Sequence, residues 1–265
     1  MSDRFLGSRG VLTAILAISF AISLTGIGWQ DGVLNTGGLS AVREIAGAAF
    51  QPDLSSDVLQ TGARSTWTTI AYAFTGLTVA LLIGLPFGVL SSGALARTYW
   101  AKRLSVGGTR LLLAFFRSIH ELIWAWLFVA AIGLSPMAAV FALGIPYGGI
   151  LGRIYGELLH DVPDAPLRAL RSAGASEWRI FWFGRLPMAL PDMLSYTFYR
   201  LECGIRSAAI LSFVGLGGLG HNIQISLQDI DYGRMWTFLY FLVALVVIVD
   251  IWSSMLRRRV AIEQG

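Results

Sequence analysis

Of the 265 residues 55% are apolar and only 14% charged, well below the roughly 25% charged share of a soluble domain. A net charge of +4 could suit a nucleic-acid partner, but the basic residues are distributed between apolar runs in a way that argues against one. The lone cysteine, Cys203, sits inside an apolar run, which excludes a disulfide framework and a cysteine-based metal site.

A helix that crosses about 30 Å of hydrocarbon needs roughly 20 mostly apolar residues. Six stretches qualify, at about 10–29, 66–92, 111–132, 136–158, 188–214 and 235–256. The predicted fold is therefore an all-α membrane protein of six transmembrane helices. Arg4 and Arg9 before a short apolar run also fit a cleaved leader. The following TGIGWQDG has no Ala-x-Ala site, however, and Trp29 suits an interfacial anchor, so a retained helix is the preferred reading. In the long segment after it, Leu39, Val42, Ile45, Ala46, Ala49 and Phe50 recur at helical spacing. That pattern fits a helix lying flat on the outer leaflet or a packed surface helix. Pro52 and Ser55–Ser56 break it. Three segments are expected: 1–65, a first transmembrane helix with an external interfacial segment; 66–256, a core of five spans; and 257–265, a cytoplasmic tail.

Arginine and lysine stay on the cytoplasmic side. With the N-terminus inside, the inner segments hold Arg4 and Arg9; Arg97, Lys102, Arg103 and Arg110; Arg153, Arg168, Arg171, Arg179 and Arg185; and Arg257, Arg258 and Arg259. That is fourteen of the twenty basic residues, against Arg43, Arg64 and Arg234 outside. Both termini are expected in the cytoplasm. No internal repeat is visible, which weakens the case for an inverted-repeat secondary transporter, and no loop is long enough to bury a soluble core.

The inner segment 161–187 carries the most information. Pro163 and Pro166 end the incoming span, and Pro166 fits the first turn of a new helix. Leu167, Leu170 and Arg171 share a face of that helix. Gly174 permits a sharp bend, and Ser176 is placed to cap a second short helix bearing Trp178, Ile180 and Phe181. Two short helices joined at a glycine make a rigid knob able to pass a push from a cytosolic partner into the flanking spans.

Charges at a helix centre cost about 2.5–3.5 kcal/mol each on insertion scales. The fifth stretch holds Arg200, Glu202 and Arg206. Glu202 and Arg206 lie four apart and can neutralise each other, whereas Arg200 has no such partner on its own face. Arg117, His120 and Glu121 open the third stretch, where they snorkel, pair locally or gate. Asp250 is expected to pair with the terminal arginines. Gly215-Leu-Gly-Gly-Leu-Gly220 is not a phosphate loop, because it follows a spanning helix and no Gly-Lys-Ser/Thr follows it. Gly215, Gly217, Gly218 and Gly220 read instead as a flexible outer gate or a tight re-entrant turn. His221, Asn222, Gln224, Gln228, Asp229 and Asp231 come next, as a solvated loop or a docking surface. Three scattered histidines make no zinc site, and no catalytic constellation is present.

Segment 161–187 resembles the cytoplasmic loop of binding-protein-dependent ABC importer permeases of type I, whose pattern is Glu-Ala-Ala, three residues, Gly, nine residues, Ile-x-Leu-Pro. Ala169, Gly174, Leu186 and Pro187 match it, while Arg168, Leu170 and Gly184 stand where Glu, Ala and Ile are usual. The resemblance covers about 66–256 and sharpens to the phosphonate, phosphite and phosphate group through Arg117-Ser-Ile-His-Glu-Leu-Ile-Trp, Pro191-Asp-Met-Leu-Ser-Tyr-Thr-Phe-Tyr-Arg-Leu-Glu and Arg206-Ser-Ala-Ala-Ile-Leu-Ser-Phe-Val-Gly. His120 replaces a usual proline. The resemblance implies that Arg168, Ala169, Leu170, Gly174, Trp178, Leu186 and Pro187 dock a separate ATPase. It implies that the span holding Arg200, Glu202 and Arg206 lines the path, and that the chain sits in a bacterial inner membrane. It also implies two ATPase subunits holding ATP and Mg, a second permease (commonly an identical copy), an external binding protein and alternating access. No cofactor on this chain and no nucleic acid are expected. An ion-coupled secondary transporter and a permease for another small solute are the alternatives.

Overall fold

The computed structural model describes residues 3–26, 38–95 and 98–262, which are helices joined by turns. They form two compact units, Met1–Phe50 and Gln51–Gly265. The first holds α1 (Asp3–Thr25) and α2 (Gly38–Ala48). Gly10–Thr25 is apolar but shorter than a full span. The expected anchor Trp29 lies outside the described residues. No residue of α2 is buried, so its apolar positions Leu39 and Val42 stay open, as a helix on a lipid surface requires.

The second unit runs α3 (Ser56–Ser92), α4 (Tyr99–Ser118), α5 (Glu121–Ile132), α6 (Pro136–His160), α7 (Asp164–Ser172), α8 (Glu177–Ile180), α9 (Leu186–Leu211), α10 (Leu219–Gln228) and α11 (Tyr232–Ile262). Among the described residues, α3, α6 and Tyr232–Leu256 are long and apolar enough to cross a membrane. The bent pairs α4–α5 and α9–α10 each pass the same test jointly. The expected second span begins earlier than 66, at Ser56. The stretch expected as one span at 111–132 is not one helix: its two halves meet at 84°. Ile119 and His120 between them are extended, and His120, at φ −65, has the backbone that a proline would impose. Its ring takes over the start of α5 by accepting the Leu122 N–H on Nδ1 at 3.3 Å. The break is thus kept without the usual proline. The expected pairing of Asp250 with Arg257–Arg259 falls on side chains outside the described set.

Helix α6 is the axis of the core. One buried cluster gathers Leu151, Tyr155 and Leu159 of α6 with Leu167, Ile180, Phe181 and Met193. A second, towards the other end, gathers Ala138, Ala142 and Leu143 with Ile205, Ala208 and Leu219. Contact with α3 is the most extensive because glycines alternate across the seam. A Cβ on Gly84 would stand 2.9 Å from Leu151 Cβ, and one on Gly148 would stand 2.8 Å from Ile83 Cβ. The Ser91 hydroxyl crosses the seam to the Gly152 carbonyl at 3.3 Å. Small residues that bring backbones together are the usual means of helix association in lipid.

Replacing Gly148 by Val should overpack this seam and cost about 1–3 kcal/mol. Gly107→Ala, where an added Cβ meets nothing within 4 Å, should be neutral or stabilising by up to about 1 kcal/mol. Thermal unfolding of the detergent-solubilised chain, followed by tryptophan fluorescence, distinguishes the two.

Candidate functional site: the elbow and the polar seam

The segment expected to form a knob does so by a specific backbone device. Helix α7 ends in a left-handed residue, Gly174 at φ +80. There the Ala175 N–H reaches back to the Leu170 carbonyl at 3.1 Å, and the Gly174 N–H to that of Arg171 at 3.0 Å. This is a Schellman closure, which glycine makes without steric cost. Across the bend Arg171 grips Glu177 with two hydrogen bonds, Nε to Oε1 at 2.8 Å and Nη2 to Oε2 at 3.1 Å. These bonds hold the Glu177 carboxyl below its usual pKa. Ser176 stands at the cap position of α8, but its hydroxyl makes no capping bond; the ion pair fixes the bend instead.

Between α8 and α9 the chain widens into a π-turn, Phe181–Arg185, where the Leu186 N–H donates to the Phe181 carbonyl five residues back. Pro187, one residue further on, has no N–H to continue the ordinary ladder. The elbow is tied to the bundle by Arg185, whose Nη1 donates to the Leu159 carbonyl at 2.7 Å, and by buried Leu167, Ile180 and Phe181. Outward it presents aromatic surface: Trp178 is 57% exposed and Phe183 80%. Arg168 and Ala169 are also exposed.

Two departures from the family pattern explain each other here. A Cβ on Gly184 would stand 2.8 Å from Leu170 Cδ1 and 3.0 Å from Leu167 Cδ2. The larger residue at 170 occupies the space that the smaller one at 184 vacates. The exchange of Ala and Ile for Leu and Gly is a size swap across one contact.

Along α9 the three charged candidates separate. Arg206 Nη2 donates to Glu202 Oε1 at 2.6 Å, with Glu202 buried and the arginine half exposed, so the intrahelical pair is real. Arg200 points elsewhere. Its guanidinium lies 4.2 Å from the centre of the Tyr147 ring of α6, a cation–π arrangement, and its buried Nε has no hydrogen-bond partner. Tyr147 hands the polar path on: its hydroxyl donates to Ser207 Oγ at 2.9 Å, and Ser207 donates to Glu121 Oε1 at 2.7 Å. His120 Nε2 is 3.7 Å from the other Glu121 oxygen. One seam therefore joins α5, α6 and α9. In the sequence Glu121 reads as snorkelling, pairing locally or gating, and nothing there singles out Tyr147 or Ser207. The only available signal was a tyrosine amid the glycines of α6, whose hydroxyl partner Ser207 is sixty residues away.

The glycine segment is a pinned turn. Gly215, Gly217 and Gly218 have φ of +95, +81 and +92, and a Cβ on Gly220 would collide with the Ala209 carbonyl. Three bonds hold it to α3: Tyr72 Oη to the Leu216 carbonyl at 2.8 Å, the Leu219 N–H to Thr69 Oγ1 at 3.1 Å, and Asn222 Nδ2 to Ser65 Oγ at 2.6 Å. Asn222 thus serves the fold, and of the two readings the tight turn fits this geometry.

Residues 84–262 match the family described as binding-protein-dependent transport system inner membrane component. The chain belongs to this family. The permease is 31% identical over 247 residues to the phosphite transport system permease protein PtxC of Stutzerimonas stutzeri, covering 92% of this chain and 87% of the relative. It is 30% identical to the putative phosphite transport system permease protein HtxC of the same organism, over 78% and 72% of the two chains. Among solved structures it is similar to the MetNI methionine ABC transporter in inward facing conformations. The TM-score there is 0.66 at 26% identity, covering 78% of this chain and 99% of that one. The expected membership among ABC importer permeases is borne out, and with it a multi-pass membrane protein that serves transport. The family implies an ATPase and a substrate-binding protein as partners.

The size swap makes a measurable statement. Gly184→Ile alone should destabilise the elbow by about 1–3 kcal/mol, and adding Leu170→Ala should recover part of that. The expected interaction is about 0.5–3 kcal/mol in a double-mutant cycle read by thermal unfolding.

Proposed function

We propose that this permease forms the membrane pathway of an ATP-driven importer for a phosphorus oxyanion, phosphite, phosphonate or phosphate, delivered by an external binding protein. The chain is non-catalytic. Two copies pair in the membrane, and two separate ATPase subunits bind ATP and Mg. The elbow and both termini face the cytoplasm, a reading supported by the fourteen basic residues of the segments on that side.

The observation that carries the proposal is the elbow: a bent, ion-pair-locked helix pair with Trp178 and Phe183 exposed, joined through a π-turn to α9. A helix continuous with a docking knob must move when the knob moves. Closure of the ATPase pair on ATP displaces the elbow, α9 tilts, and the path opens towards the binding protein. At the other end the pinned glycine turn is the fixed point about which α9 tilts.

The relatives' phosphite cargo sets the substrate class. Arg206 is neutralised by Glu202, so Arg200 carries the guidance: its charge rests on a ring and its Nε is unpartnered. A guanidinium suits phosphorus oxyanions, and held at the polar seam it attracts an anion without gripping it, which release requires. An ion-coupled mechanism would want uncommitted carboxylates at mid-bundle, whereas Glu121 and Glu202 are both engaged.

Arg200→Leu should lower uptake several-fold while the ATPase still copurifies. Arg206→Leu should lower uptake and also cost about 1–3 kcal/mol of stability, because it removes the 2.6 Å guanidinium bond to a buried carboxylate. Trp178→Glu, at an exposed position, should leave the fold intact and abolish ATPase copurification. Unchanged uptake in Arg200→Leu removes the guidance role; an ATPase that stays bound to Trp178→Glu removes the docking role.

A further inference from the structure

A second group of arginines lines a cavity between α4 and α6. On α6, Gly149 and Gly152 let α4 approach closely: a Cβ on Gly149 would stand 2.9 Å from the Leu113 carbonyl oxygen and 3.2 Å from the Arg117 nitrogen. Next to this contact is a cavity of about 260 Å³, lined among others by Ser91 of α3, Arg110 and Arg117 of α4, and Arg153 and Glu157 of α6. Arg110 and Arg117 are seven residues apart, so two helical turns bring them to the same edge of α4. Arg153 Nε donates to Glu157 Oε1 at 2.8 Å, both side chains nearly half exposed. Among the described residues no carboxylate lies within ion-pair distance of Arg110 or Arg117. Three guanidiniums and one carboxylate thus share one concavity, with two positive charges uncompensated.

Like charges gathered beside hydrocarbon repel one another more than they would in water, and an anion in the cavity relieves that. The volume equals several waters at about 30 Å³ each, enough for a tetrahedral oxyanion and its first shell. Guanidinium forks match phosphate oxygens. Arg110 also borders a shallower concavity with Tyr99, Lys102 and Arg103, so the cavity is continuous with a basic and aromatic surface. Tyr99 and Trp100, at the start of α4, are 71% and 73% exposed beside Lys102 and Arg103, the aromatic and basic pairing of a membrane–water interface.

We propose that Arg110, Arg117 and Arg153 form a site for a phosphate group, presented by the headgroup of an anionic phospholipid. The proposal does not depend on the cargo.

The test uses the full-length chain in detergent micelles, titrated with phosphatidylglycerol, phosphatidylcholine, or inorganic phosphate against chloride at matched ionic strength. Thermal unfolding and lipid retention in native mass spectrometry are the readouts. Phosphatidylglycerol should stabilise the chain and stay bound, and phosphatidylcholine should not. Arg110→Gln with Arg117→Gln should weaken that binding by roughly tenfold or more, with each single variant showing part of the loss. Arg168→Gln with Arg179→Gln, an equal charge loss on the elbow, should leave it unchanged. Stabilisation by inorganic phosphate as well would show that the site accepts the free anion; its absence would confine the ligand to lipid. Equal effects of the two lipids with no response to phosphate overturn the proposal, as does a titration in the Arg110/Arg117 double variant that matches the parent. Because binding and not transport is read, failure here leaves the importer reading untouched, and failure of that reading leaves this one standing.

Discussion

Lipid tails are as apolar as leucine, so hydrocarbon gives two helices little reason to associate. In this permease the reason is proximity between the backbones of α3 and α6. Gly76, Gly84 and Gly88 face Leu143, Leu151 and Tyr155, while Gly144 and Gly148 receive Val79 and Ile83. Each glycine is the hole for a side chain of the opposite helix, so the seam has one register. Other spans take their positions from it. α4 rides on Gly149 and Gly152 of α6, and α9 meets the same helix through Tyr147, whose ring edge stands 3.3 Å from where a Cβ on Gly204 would be. A slip of one turn along α6 would misplace Tyr147, and with it Arg200 and Ser207.

Legibility in the sequence followed the range of the interaction. The elbow was readable because its determinants are local: Pro166 in the first turn, Gly174 at the bend, and apolar residues spaced for one face. The Glu202–Arg206 pair was readable for the same reason, being one turn of one helix. The break between α4 and α5 was not, because hydropathy runs straight through residues 111–132 and histidine is no recognised helix breaker; only the extended backbone at Ile119–His120 reveals it. The chain from Arg200 through Tyr147 and Ser207 to Glu121 was out of reach altogether, since it joins three helices and no spacing rule links them.

The departures from the family motif repay attention in pairs. Leu170 and Gly184 looked like two weakened matches in the sequence, and in space they are one exchange of volume. His120 looked like the loss of a proline, yet the ring nitrogen supplies the Leu122 N–H with an acceptor while the backbone keeps the proline-like angle. Arg168 has no such partner change nearby; it is exposed at the rim of the elbow, where its complement would lie on another protein.

The three bonds from α3 to the glycine turn have a mechanical meaning. Ser65, Thr69 and Tyr72 lie on successive turns of one helix and hold the segment after α9 at Asn222, Leu219 and Leu216 in reverse order. Such antiparallel stitching resists sliding and twisting alike. That extremity of α9 therefore behaves as a fixed pivot, while the opposite extremity ends in the proline-softened π-turn. Displacement applied at the soft end is converted mostly into angular sweep, greatest near the elbow and smallest at the glycines. Arg200, partway along, travels an intermediate arc and must either carry Tyr147 along or slide off its ring.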